Sequence, residues 1–259
     1  AGEAPALRGF LERLRAAPGF AALEHKESWS AAPPFPRLKV RVKREIVSMG
    51  APGSAVPGAV APRLGWQAWN AVLARAGAGA LVVDVRNDYE TRLGAFEGAT
   101  DPETATFRAF PEWAARRLPE LRAAEVVATY CTGGVRCEKA TAHLRGLGLD
   151  NVVQLDGGVL KYLETAPQEL SRWRGHCFVF DERVSVGPSL APGPHTLCRG
   201  CRRPVAPEDM ADPRYVPGVS CPACAQGLSP ARRRGLAERQ RQIKLARARG
   251  ARHLGGGAG

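Results

Sequence analysis

Three short apolar runs, Ala80-Leu-Val-Val-Asp84, Glu125-Val-Val-Ala-Thr-Tyr130 and Asn151-Val-Val-Gln-Leu155, recur between helix-length stretches and leave this chain few folds to adopt. Each run is apolar at successive positions, the pattern of a strand covered on both faces rather than the alternation of a half-exposed one. The segments over 67–75, 111–123 and 138–147 read as helices. Helices that alternate with such strands pack on both faces of a parallel sheet, so an α/β domain is expected over 66–168. In a sheet of this kind ligands bind beyond the carboxyl ends of the strands.

The flanking segments have other characters. Residues 1–50 open with a helical spacing of Leu7, Phe10, Leu11 and Leu14, broken at Pro18-Gly19. A proline-rich loop around Pro33, Pro34 and Pro36 follows. Then Leu38, Val40 and Val42 alternate with Lys39, Arg41 and Lys43, which predicts a half-exposed strand. Residues 51–65 form a Gly-, Pro- and Ala-rich linker, 169–229 a cysteine-bearing module, and 230–259 a basic tail. No internal repeat is visible. No apolar run approaches the roughly 20 residues that span a bilayer, and no charged-then-apolar leader precedes the globular pattern, so no membrane association is expected.

Cysteine usage points to a reducing compartment. The seven cysteines are clustered, with Cys131 and Cys137 in one loop, two Cys-x-x-Cys pairs near the C-terminus and Cys177 alone. That suits thiolate and metal chemistry in the cytoplasm better than a secreted disulfide framework. Cys198, Cys201, Cys221 and Cys224, with 19 residues between the pairs, have the spacing of a four-thiolate structural zinc site. Four thiolates close the tetrahedron and leave no catalytic position. His195 is near enough in sequence to compete and is left out of the set.

The formal net charge is +12, of which the tail from Pro230 carries +8: nine basic residues against Glu238. Its helix-forming run has few large apolar residues and reads as a solvated basic helix. Arg232, Arg233, Arg234, Arg239, Arg241 and Lys244 are the candidate contacts to a nucleic-acid backbone. A merely solvated tail is the plain alternative.

The most informative segment is Cys131-Thr-Gly-Gly-Val-Arg136, where a strand runs directly into a helix that begins near Cys137-Glu-Lys139. Gly133 and Gly134 allow the backbone to curl until N–H groups face inward as an anion-binding nest, and the anion can be the thiolate itself. These dipoles and the Arg136 guanidinium should lower the pKa of Cys131 and keep it nucleophilic. Thr132, Gly133, Gly134 and Val135 complete the loop, which is one residue shorter than the Cys-to-Arg loop of tyrosine phosphatases and a poor fit to phosphate. Asp84, Arg86 and Glu90 are expected to brace it as an ion-pair set, and Gly157 and Gly158 to serve a backbone turn. Cys137 has two readings, a redox or resolving thiol and a side chain packed under the helix.

Taken in order, Lys26-Glu-Ser28, Lys43-Arg-Glu-Ile-Val47, Arg86-Asn-Asp-Tyr-Glu90, Phe107-Arg-Ala-Phe-Pro111, Cys131-Thr-Gly-Gly-Val-Arg-Cys-Glu-Lys139, Gly157-Gly-Val-Leu-Lys-Tyr162 and Cys177-Phe-Val-Phe-Asp181 resemble the rhodanese-related tRNA uridine hydroxylases. The resemblance implies a rhodanese-like domain over 66–168 and a partial ferredoxin-like α+β segment before it, which this chain enters partway, as a fragment would. It further implies oxygen-dependent 5-hydroxylation of the wobble uridine of tRNA, with molecular oxygen as co-substrate and Cys131 as the active-site residue. Two other functions stay open from the residues. One is a sulfurtransferase that carries a persulfide on Cys131, and the other is a non-catalytic RNA-binding scaffold. The five histidines show no spacing of a two-histidine, one-carboxylate iron site.

Overall fold

A computed structural model describes residues 2–25, 27, 29, 35, 40–50 and 61–250. Lys26, Ser28, the loop around Pro33, Pro34 and Pro36, residues Leu38 and Lys39, most of the linker and Arg252 lie outside the described residues. The chain divides into two compact units, one of residues 1–42 with 229–259 and one of residues 43–228.

In the larger unit, strands β1 (Arg63–Leu64), β2 (Ala80–Asp84), β4 (Val126–Tyr130) and β5 (Val152–Leu155) form a parallel sheet in the order β1-β5-β4-β2. Ala80 stands opposite Val126 and Asp84 opposite Tyr130, so the carboxyl ends of β2 and β4 finish level with each other. Adjacent residues on one strand serve opposite faces. Val83 and Val127 pack with Phe107, Phe110, Trp113, Leu121 and Leu144 on one side. Val82 and Ala128 pack with Trp69, Leu73, Val159 and Tyr162 on the other. This is why the strands read as unbroken apolar runs: there is no solvent face to mark. The covering helices are α2 (Trp66–Leu73) and α7 (Gly158–Thr165) on one face, and α4 (Phe110–Arg116), α5 (Leu118–Ala123) and α6 (Val135–Gly146) on the other. A short α3 (Asp88–Thr91) follows β2.

The expected helix over 111–123 is in fact two helices. Pro119 would clash with the carbonyl four residues back and has no N–H to give, so the chain breaks at Arg117 and restarts. Helix α6 begins three residues earlier than expected, because Gly134 caps it directly at φ +90°. Arg63–Leu64, read as linker, is an edge strand that extends the sheet beside β5.

The C-terminal module is built onto the same unit. Strand β3 (Gly94–Phe96) pairs with β6 (Trp173–Gly175), and the ring of Phe96 meets Tyr130, Tyr162 and Trp173 edge to face at 4.9, 4.7 and 5.0 Å. Beyond it come the hairpin of β7 (Cys177–Phe178) with β8 (Ser185–Val186) and that of β9 (Thr196–Leu197) with β10 (Pro204–Val205).

The smaller unit contains α1 (Ala4–Arg15) and α8 (Pro230–Ala248), neither with a buried residue. Helix α8 is capped by Ser229, whose hydroxyl accepts the N–H of Arg232, and is the solvated basic helix expected. The described part of the expected strand over 38–43 is not a strand. Val40 and Val42 are exposed, and no strand is present among the described residues of this unit to pair with them, so extended backbone there has no ladder to join. No helix among the described residues is long and apolar enough to cross a membrane.

Candidate active site

Strand β4 delivers Cys131 to the carboxyl edge of the sheet, and the loop turns there into α6. Because the helix starts at Val135, the N–H groups of its first turn have no helical partner. They find the sulfur instead. The N–H of Gly134 donates to Cys131 Sγ at 3.1 Å, and those of Arg136 and Cys137 face it as well. The expected nest is present, with the Cys131 sulfur seated in it.

Cys131 is 1% exposed. Burial alone would raise its pKa, but the hydrogen bond from the Cys137 thiol, the charge of Arg136 and the loop N–H groups outweigh it and bring the pKa down to about 6. Cys137 is fully buried beneath the helix and shifts the other way, well above the usual thiol range, through burial and its bond to Cys131. Cys137 is packed under the helix, and its thiol is hydrogen-bonded to that of Cys131.

The second support lies under the loop backbone. Gly157 and Gly158 take φ of +62° and +67°. A Cβ on Gly158 would sit 2.4 Å from the carbonyl oxygen of Cys131 and 2.7 Å from that of Thr132. Only glycine lets α7 approach so closely that Val159 and Leu160 donate their N–H groups to those two carbonyls, at 2.9 and 3.0 Å. The pair does serve a turn, as expected, and also docks the first turn of α7 on the cysteine loop.

Asp84, Arg86 and Glu90 do not form one set but separate into two buried ion pairs. Arg86 is gripped by both oxygens of Asp84, donates to the carbonyls of Glu90 and Gly94, and lies over the rings of Trp173 and Tyr130. This pair joins β2 to the β3–β6 ribbon. Glu90 belongs instead to Arg136, 46 residues away, in a two-point bridge of 2.6 and 2.7 Å, and accepts the Thr132 hydroxyl at 3.2 Å. Burial works against the Glu90 carboxylate, yet the hydrogen bonds and charge of Arg136, the N–H of Asn87 and the charge of Arg86 hold it below the usual carboxylate range. With both end nitrogens taken, Arg136 acts on Cys131 as a fixed charge. Short range explains why the sequence hid this pairing: residues 84, 86 and 90 are neighbours in the chain, and only the fold reveals which of them faces α6.

The four sulfurs of Cys198, Cys201, Cys221 and Cys224 lie within 4.8 Å of one another. Cys198 to Cys224 and Cys201 to Cys221 are both 3.7 Å, and Cys221 to Cys224 is 3.9 Å. A tetrahedral ion with metal–sulfur bonds of about 2.3 Å has sulfur–sulfur edges of about 3.8 Å, so the four residues fit a metal of that size. His195 is not part of the set, since its Nδ1 meets the Ser185 hydroxyl at 2.8 Å. The first knuckle reaches toward the cysteine loop. Arg203, at its end, stands 3.5 Å from Asp88 and 6.0 Å above the ring of Tyr89, the two residues that precede Glu90.

Cys177 is buried, its pKa pushed up to about 12 mainly by burial, and is inert packing. A cleft of about 120 Å³ lined by Asp84, Thr91, Arg92, Asp101 and Tyr130 lies near the strand ends. Cys131 is not among its lining residues.

Residues 66–165 match the model of the Rhodanese-like domain, and residues 1–46 that of the UPF0176 acylphosphatase like domain. A tRNA uridine(34) hydroxylase of Sinorhizobium fredii is 51% identical over 259 residues, covering 98% of this chain and 80% of that protein. Its counterparts in Agrobacterium fabrum and Brucella anthropi are each 49% identical, over 98% of this chain and 80% and 83% of theirs. Among solved structures, the rhodanese-like domain of an Anabaena protein aligns with a TM-score of 0.36 at 18% identity, over 44% of this chain and 79% of that one.

Proposed function

The chain belongs to the tRNA uridine(34) hydroxylase family, and from that membership we propose that it hydroxylates C5 of the wobble uridine of tRNA with Cys131 as the reactive thiol. The observation that carries the reading is the nest around Cys131, which holds a buried sulfur as a thiolate near pH 6. Uracil is electrophilic at C6, the position conjugated with its C4 carbonyl. A thiolate that adds there forms the S–C6 bond and shifts the C5–C6 electron pair onto C5 and O4, making C5 the nucleophilic carbon. C5 takes one atom of dioxygen, while the other atom leaves as water with two electrons and two protons from an external two-electron reductant such as a cellular thiol. Loss of the C5 proton and departure of the thiolate restore the ring. Cys137 and the loop N–H groups stabilise the sulfur anion before attack and again as it leaves. Molecular oxygen is the co-substrate in this reading, and the protein works in the cytoplasm, where it meets tRNA. A persulfide carried by Cys131 is the alternative chemistry of the same loop, and kinship over 98% of this chain favours hydroxylation. In a bacterial host stripped of its own enzyme, this chain should restore 5-hydroxyuridine to tRNA on nucleoside analysis. A host that stays devoid of it while producing folded protein contradicts the reading.

In the same reading the four-cysteine cluster holds a structural zinc. Elemental analysis should find about one zinc per chain, lost when any of Cys198, Cys201, Cys221 or Cys224 becomes serine, because closed thiolate sites do not survive the loss of a ligand. A metal-free native protein, or a Cys198→Ser variant that keeps its zinc, contradicts it.

Helix α8 supplies backbone contacts to tRNA through Arg232, Arg233, Arg234, Arg239, Arg241 and Lys244. Deleting residues 229–259 should weaken tRNA binding and make log affinity less steep against log salt, to a similar extent for cognate and non-cognate tRNA. Unchanged affinity and slope would show a tail that is only solvated.

A further inference from the structure

We propose that Phe180 is the platform on which the target base stacks at the mouth of the cysteine loop, a positioning role that rests on the function proposed above. Phe180 is 63% exposed and is the one exposed aromatic side chain among the described residues of the larger unit. Its neighbours Phe178 and Val179 are buried, so this ring is presented outward from a packed strand end. Hydrogen bonds close the turn that carries it. Val179 donates to the carbonyl of Val184 at 2.9 Å, and Arg183 clamps Asp181 through both carboxylate oxygens.

Its position gives the exposure a purpose. The guanidinium carbon of Arg136 lies 6.0 Å from the Phe180 ring centroid, and Arg136 is five residues from Cys131 in the loop that holds the thiolate. Val135, next in that loop, is the other exposed apolar side chain here, at 45%. Phe180 is backed edge to face by Phe178 at 5.0 Å, which is backed by Tyr89 at 5.4 Å, beneath Arg203. The lip of the loop is thus a row of rings that ends in one open ring, flanked by two guanidinium groups. Enzymes that modify a base must take it out of its stack, and an aromatic face is the usual replacement surface because every base has a π-face to offer it. Loss of stacking on one aromatic ring costs on the order of ten-fold in affinity.

The test uses the full chain with Cys131→Ser, so that binding is read without chemistry, and anticodon stem-loop RNAs carrying either uridine or an abasic sugar at the wobble position. We expect Phe180→Ala to weaken the uridine RNA on the order of ten-fold and to leave the abasic RNA unchanged, and Phe180→Trp to retain binding. With 5-bromouridine at that position, photocrosslinking should map to residue 180 in the phenylalanine and tryptophan forms and vanish in the alanine form. Equal loss for both RNAs, no loss for either, or a crosslink elsewhere overturns the proposal. The outcome is separable from the hydroxylase reading: nucleoside analysis of the unmodified enzyme judges that reading alone, and stacking without hydroxylation would leave Phe180 as a base platform for a different reaction.

Discussion

Cys131→Ser should abolish formation of 5-hydroxyuridine, by at least about a thousand-fold, while the protein keeps its fold. Oxygen is close to sulfur in size and accepts the same N–H groups, so the nest of Gly134, Arg136 and Cys137 stays satisfied around a serine hydroxyl. What is lost is the anion. A serine hydroxyl does not ionise near neutrality, whereas the Cys131 thiol does so near pH 6. The same shift sets the pH dependence with a definite sign. Because the folded pKa lies below the ordinary thiol value, the reactive thiolate is half formed near pH 6, predominates above neutrality and disappears as pH falls further. Single-turnover hydroxylation should therefore be flat above neutrality and fall with an acid limb near 6. Nucleoside analysis of complemented cells and a melting curve check the first statement. A serine variant that supports normal 5-hydroxyuridine contradicts it.

Glu90→Ala should cost about 3–5 kcal/mol of folding stability, the range for removing one partner of a buried ion pair. The Glu90 side chain is fully buried and that of Arg136 9% exposed, so the arginine left behind is a buried charge without its partner. The Thr132 hydroxyl and the N–H of Asn87 lose their acceptor in the same stroke. Glu112→Ala is the contrast. Its pair with Arg116 is a surface contact with side chains 74% and 62% exposed, where the expected change is below about 0.5 kcal/mol. Chemical denaturation of the two variants measures both. The pH response again has a sign. A carboxylate with a lowered folded pKa adds stability above its unfolded value, near 4, and that stability is lost as pH falls through the lower folded one. Glu90→Ala should thus flatten the acid side of the stability curve. An alanine variant as stable as the native protein would show that the loop is held by other contacts.

The parts of the fold visible in the sequence were those whose cause is local. Val82 and Val83, and Val127 and Ala128, are apolar in succession because each neighbour faces a different helical layer, and that pattern located the strands to within a residue. The order of strand, cysteine, two glycines and helix located the Cys131 loop for the same reason. Features that depend on distant contacts were harder to read. Val40 and Val42 have perfect alternation but lack a neighbouring strand among the described residues, and Arg63–Leu64 has no pattern yet forms an edge strand because β5 offers it a ladder. The partition of Asp84, Arg86 and Glu90 needed the 46-residue return to Arg136. Phe180 reads as one more apolar residue in a Phe- and Val-rich strand, and only its exposure beside Arg136 sets it apart. The cysteine spacing was the exception among distant features, since metal ligation fixes residue type and interval together.

The most direct test of the central claim is isotopic. Cells that depend on this chain for tRNA hydroxylation are grown under heavy-isotope dioxygen, and the wobble nucleoside is isolated and weighed. If Cys131 directs oxygen to C5 of uridine, the 5-hydroxyuridine carries the heavy atom, and cells bearing Cys131→Ser yield only unmodified uridine. A wobble nucleoside that gains sulfur in place of oxygen, or remains unmodified in the presence of folded native protein, would contradict the account.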